Sequence, residues 1–78
     1  MTNQTFGEKA VGLTFNPSGD DAVAEAKRTC AKFIDQLHNL RCDTSDPEIM
    51  RMASLAITEA QTAQMWAVKA ITWKGNND

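Results

Sequence analysis

Apolar positions fall into two long helical runs with a polar, turn-rich stretch ahead of them. Val23, Ala26, Cys30, Phe33, Ile34, Leu37 and Leu40 recur at spacings of three and four, the period of one helix face. Glu25, Arg28, Lys32, Asp35, Gln36 and Asn39 fill the other side. This predicts a helix from Asp20 to about Arg41, with Asp20 or Asp21 as cap and acids in the first turn to suit the dipole. Asp43-Thr44-Ser45-Asp46-Pro47 breaks the pattern. Ser45 or Asp46 can cap a second helix, and Pro47 suits its first position, where a missing N–H costs nothing. That helix runs to about Trp73, roughly 40 Å at ~1.5 Å per residue, and Gly75, Asn76 and Asn77 end it. The connection is short, so the two helices form an antiparallel hairpin. The fold class expected is all-α: an arm and turn over 1–19, a hairpin over 20–74 and a tail over 75–78. The arm closes on Asn16-Pro17-Ser18-Gly19, a strong turn, and no long helix is expected in it.

The second helix is too apolar for a two-helix hairpin. Ile49, Met52, Ala53, Ala56, Ala60, Ala63, Ala67 and Ile71 form one stripe, while Leu55, Met65, Trp66, Val68 and Trp73 lie off it. One facing helix covers about 100° of surface. The excess would sit in water on a lone chain, and such patches usually mark interfaces. The alanines permit close helix approach. The expectation is a homo-oligomer whose core several hairpins complete, with Trp66 and Trp73 as core or interface anchors.

Length sharpens that expectation. The chain has 78 residues, 42% hydrophobic and 23% charged, with a net charge of −2. A chain of roughly 60 residues buries only about 60% of its unfolded surface, so a partner subunit is one natural source of stability. No apolar run nears the ~18–20 residues of a membrane span. Met1 to Lys9 lacks the apolar core of a signal peptide, and the expectation is a reducing compartment with Cys30 and Cys42 as free thiols. Two cysteines and one histidine supply too few ligands for a structural zinc site. The mild acidity argues against nucleic-acid polymers as partners.

Catalytic candidates are few. His38, at the C-terminal end of the first helix, has no evident orienting partner; the two thiols have no evident activating base. No Walker-type loop is present. Ligand binding has better material. Phe15-Asn16-Pro17-Ser18-Gly19 stands directly before a helix N-terminus, a junction that favours anions. Phe15 can stack on a flat base, Lys27 and Arg28 lie near enough to meet phosphate, and Ser18 and Thr29 add hydroxyls. The plain alternative has Phe15 stapled onto the hairpin and Lys27 to Lys32 as a solvated face.

Taken together, Phe15 to Gly19, Ala26-Lys27, Ile34-Asp35, Asp46-Pro47-Glu48, Ala56-Ile57-Thr58-Glu59-Ala60 and Met65-Trp66-Ala67-Val68-Lys69-Ala70 resemble the hairpin domain of phage anti-CBASS sponges, which anti-Thoeris sponges share. The resemblance covers roughly Leu13 to Thr72. It implies a protein that is not an enzyme and needs no cofactor or metal. Such a protein works in the cytoplasm of the infected bacterial host, where it sequesters an immune second messenger uncleaved. Family members form helical hexamers that hold cyclic dinucleotides such as cyclic GMP-AMP between paired protomers. Some also take cyclic trinucleotides, and anti-Thoeris relatives bind cyclic ADP-ribose isomers. By resemblance, Phe15 matches the base-stacking aromatic, without a tyrosine hydroxyl, and Lys27 matches the phosphate lysine. Thr29 matches a threonine of the trinucleotide pocket. That pocket's arginine has no counterpart in the middle of the second helix, only Arg51 near its start. The residues thus leave trinucleotide binding open, and they leave open two other readings: a sponge for the cyclic ADP-ribose isomers of Thoeris defence, or a structural or regulatory hairpin that binds another protein.

Overall fold

The computed structural model describes residues 3–73, and all three elements in them are helices: α1 (Phe6–Val11), α2 (Asp21–Asp43) and α3 (Pro47–Ile71). Asp20 caps α2 by accepting from Ala22 N at 2.8 Å. Asp46 caps α3 by accepting from Glu48 N at 2.9 Å, and Pro47 follows it. Residues 44–46 form the whole link, so α3 folds back along α2 as the spacing predicted. The predicted C-terminal tail, with Gly75, Asn76 and Asn77, lies outside the described residues, as do Met1 and Thr2 at the other end.

The arm holds a short helix that its hydrophobic pattern does not announce. Thr5 Oγ1 accepts from Glu8 N at 3.1 Å, and Glu8 Oε1 accepts from Thr5 N at 2.9 Å. This reciprocal pair satisfies two donors that a helix start otherwise leaves open. Gly12, at φ 63°, ends the helix, and Leu13 N closes back on Glu8 O at 3.0 Å. The left-handed conformation costs glycine little. Six residues are too few to hold a helix in water alone, so α1 depends on docking. Gly7 makes that docking close: a Cβ there would lie 2.1 Å from the Ala31 carbonyl oxygen. Gly7 N also donates to Asp35 Oδ1 at 2.6 Å.

That close approach sets which face of α2 is buried. Val23, Lys27, Ala31 and Ile34 are inside, and Cys30 and Leu37 pack against them. Phe33 and Leu40, expected in the stripe, are half exposed. Spacings of three and four allow neighbouring lines on one helix; here α1 covers Ala31, and the loop after α1 covers Lys27. On α3 the inner line is Ala53, Ile57, Ala60 and Gln64, so Met52 and Ala63 of the predicted stripe face outward. Ile34 is fully buried and sits in a core with Val11, Ala31, Ile57 and Ala60.

The molecule measures 50 × 32 × 12 Å. Its thinnest dimension is about one helix diameter. A single layer of helices leaves its outer faces uncovered, and Met52, Leu55, Met65, Trp66 and Trp73 of α3 are among the large apolar side chains it leaves exposed. Among the described residues, no helix is long and apolar enough to cross a membrane.

Candidate functional site

The turn between α1 and α2 is built by its own side chains. Asn16 Nδ2 donates to Asp20 O at 3.1 Å. Ser18 Oγ donates to Asn16 Oδ1 at 2.9 Å and accepts from Asp20 N at 3.2 Å. Gly19 N donates to Asn16 O at 3.0 Å, with Gly19 at φ 64°. Polar side chains thus serve the turn and the cap of α2. Asn16 and Ser18, both candidate ligand residues, spend these hydrogen bonds on shape.

Lys27 comes from the second turn of α2 and reaches back under this loop. Its Nζ donates to Gly12 O at 3.0 Å and also to Phe15 O. It lies 5.5 Å from the centre of the Phe15 ring, within cation–π range. The residue is only 5% exposed. Among the described residues the ion pairs are Arg28–Glu25 and Arg51–Glu48; Lys27 has no carboxylate. A buried charge is costly unless paired and hydrogen-bonded. Here two neutral carbonyls and a ring face stand in for a counter-ion.

Phe15 lies above this ammonium and is 71% exposed. It opens a groove of ≈ 240 Å³ lined by Phe15, Asn16, Pro17, Ser18, Val23, Lys27, Val68 and Thr72. Five of the seven residues singled out from the sequence therefore meet in one place. Arg28 and Thr29 stand outside it on the exposed side of α2. Arg28 instead pairs with Glu25 at 2.8 Å. That contact, first by hydrogen bond and then by charge, holds the Glu25 carboxyl below the usual carboxylate range, with Lys32 a smaller influence. Val68 and Thr72 enter the site from α3 without having been singled out as ligand residues. Their signal was weak in a linear reading: Val68 reads as surplus apolar surface, and only the hairpin brings it beside Phe15.

Two other hollows lie on the described residues. A wider depression of ≈ 640 Å³ borders Asn3, Gln4, Glu8, Lys9, Leu13 and Thr14. It holds no aromatic ring and no buried charge, and its Glu8 is committed to the helix cap. A third of ≈ 230 Å³ lies on outer α3 between Thr62, Met65, Trp66 and Lys69. Only the groove at Phe15 joins an exposed ring to a buried cation, and it is the candidate site.

His38 has more partners than the sequence suggested. It stacks on Phe6 at 4.2 Å between ring centres, and Arg41 Nε donates to its Nδ1 at 3.3 Å. Arg41 also donates to Ser54 Oγ at 3.0 Å, so this cluster ties α1, α2 and α3 at one end. Cys42 Sγ is 3.8 Å from His38 Nε2. Among the described residues no three His, Cys, Asp or Glu side chains converge as a metal site would require.

The family model described as Acb2/Tad1, hairpin domain, matches residues 8–72. The chain belongs to this family. The match takes in most of α1, all of α2 and α3, and every residue that lines the Phe15 groove. Acb2/Tad1 hairpins are the anti-CBASS and anti-Thoeris sponges, which bind cyclic-nucleotide messengers without cleaving them. No curated protein and no solved structure matches the chain.

Proposed function

We propose that this Acb2/Tad1 hairpin sequesters cyclic dinucleotides such as cyclic GMP-AMP, uncleaved, in the cytoplasm of the infected bacterial host, so that the CBASS effector is never activated. The observation that carries this reading is the buried Lys27 ammonium, without a carboxylate partner among the described residues, beneath the exposed Phe15 ring. An anionic ligand with a flat base supplies what each lacks: a counter-ion for the ammonium and a stacking partner for the ring. Stacking contributes ~1–3 kcal/mol per base, and a hydrogen bond to a charged group about 1.5–3 kcal/mol.

Size supports a shared site. The groove, at ≈ 240 Å³, is smaller than the roughly 300–1,000 Å³ of a drug-sized pocket, and suits one nucleotide unit. A two-fold pair of protomers offers two rings and two ammonium groups, matching the two bases and two phosphates of a cyclic dinucleotide. The exposed apolar face of α3 is the natural surface for that assembly, for which we propose a hexamer. Cyclic trinucleotides are the secondary candidates, with Thr29 on the open side of α2 as a contact.

Calorimetric titration against cyclic dinucleotides, cyclic trinucleotides and cyclic ADP-ribose isomers tests the reading. Saturable binding of a cyclic dinucleotide is expected, with Phe15→Ala weakening it about tenfold or more. The absence of a binding heat for the whole panel would sink the function. An undiminished affinity in F15A would move the site elsewhere.

A further inference from the structure

The contacts of Lys27 point beyond its charge. We propose that Lys27 is the positioning residue of the groove: it fixes the Phe15 ring in place before any ligand arrives, by tying the main chain at both ends of the segment that leads into the turn. This rests on the sponge reading for its functional meaning, while the positioning itself can be measured on the ligand-free chain.

The geometry is specific. Gly12 O and Phe15 O, both acceptors of Lys27 Nζ, bracket the segment that leads from α1 to the turn. Phe15 N in turn donates to Gly12 O at 2.9 Å. The segment therefore closes on itself and is pinned to α2 by one side chain. Phe15 is mostly exposed, and a ring on an exposed loop samples many orientations unless its backbone is fixed. Ordering such a side chain on binding costs about 0.5–1.5 kcal/mol, and Lys27 removes much of that cost in advance. An ammonium has three donors. Two are committed to the carbonyls, and the remaining one is the donor available to a phosphate in the groove. One residue thus serves both the ring and the anion, and its two roles are separable.

Hydrogen exchange on the ligand-free protein reads the first role. In K27M, amides of residues 12–19 should exchange about tenfold faster or more, while those of α2 and α3 keep their protection. Unchanged exchange over 12–19 overturns the proposal, even if K27M no longer binds cyclic GMP-AMP; the sponge reading would then stand without it. If K27M unfolds as a whole, the wild-type chain decides. The Lys27 ammonium protons should show couplings across hydrogen bonds to the Gly12 and Phe15 carbonyl carbons in NMR, and the lack of both couplings overturns the proposal.

A double-mutant cycle reads the link to binding, with cyclic GMP-AMP as the probe. If Lys27 acts through Phe15, K27M should cost about tenfold more affinity in the wild-type background than in F15A. Equal costs in the two backgrounds mean that Lys27 contacts the ligand alone, and the positioning role falls. A wild-type chain that binds no cyclic GMP-AMP while K27M loosens residues 12–19 would sink the choice of ligand and leave the positioning intact.

Discussion

The two faces of α3 differ in a way opposite to a self-contained hairpin. Its inner face buries two alanines, Ala53 and Ala60, with Ile57 and Gln64. Its outer face exposes Met52, Leu55, Met65, Trp66 and Trp73, with Leu55 52% and Trp66 66% exposed. The result is a thin layer with a modest core. Large apolar residues outside stay in water on a single chain. Exposed patches of this kind mark interaction surfaces, and aromatic residues and methionine are enriched at such interfaces. The inner face therefore sets the fold of one chain, and the outer face sets what the chain can assemble into.

Mutations can break this division. The largest effect is expected on the inner side, at Ile34, which is 0% exposed. Ile34→Ala should lower the unfolding free energy by about 2–5 kcal/mol, measured by urea denaturation; a loss under about 1 kcal/mol would mean that the hairpin core is not the centre of stability. Ala60→Leu should cost about 1–3 kcal/mol by over-packing, in the same assay. A stabilised A60L would show that the helices have room to spare. Trp66→Glu on the outer face should change the stability of a single chain by only about 0.5 kcal/mol or less. It should instead reduce the particle mass in sedimentation. An unchanged mass with an intact fold would separate the outer face from assembly.

The smallest effect is expected away from both faces. Arg28 lowers the pKa of Glu25, so the pair favours the folded state above the usual carboxylate range, and that contribution fades as pH falls through the lowered value. Both side chains are well exposed, and solvent screens the pair. Melting curves of E25Q and wild type should coincide at pH 7 within error. A clear difference would make this surface pair more than a solvated contact.

The hairpin was legible because its signals are local. Asp20, Asp46 and Pro47 are caps and starts whose chemistry acts within one turn, and the two long apolar runs have the period of a helix. The phase of α2 was less so: Ala31 packs under Gly7, a residue that carries no hydrophobic signal, and Lys27 is covered by the loop through Gly12 and Phe15. The helix α1 had a signal of another kind, Thr5 and Glu8 at capping-box spacing, which hydrophobic periodicity does not register. The candidate site was half legible. Phe15 to Ser18 announce a turn, and Lys27 stands out in the sequence as a phosphate contact. Its burial and its hold on two carbonyls depend on the chain folding back. Val68 and Thr72 reach the groove only through the pairing of α2 and α3. The resemblance to anti-CBASS sponges, carried by scattered short segments, agrees with the match over residues 8–72.

Capture without cleavage is the central claim. The purified protein should be saturated with cyclic GMP-AMP, passed through a desalting column to remove free ligand, and denatured by heat, with the released nucleotide identified by mass spectrometry. Intact cyclic GMP-AMP, retained by wild type and lost from F15A, is the result predicted. Desalted protein that yields linear or hydrolysed nucleotide, or no nucleotide at all, would contradict it.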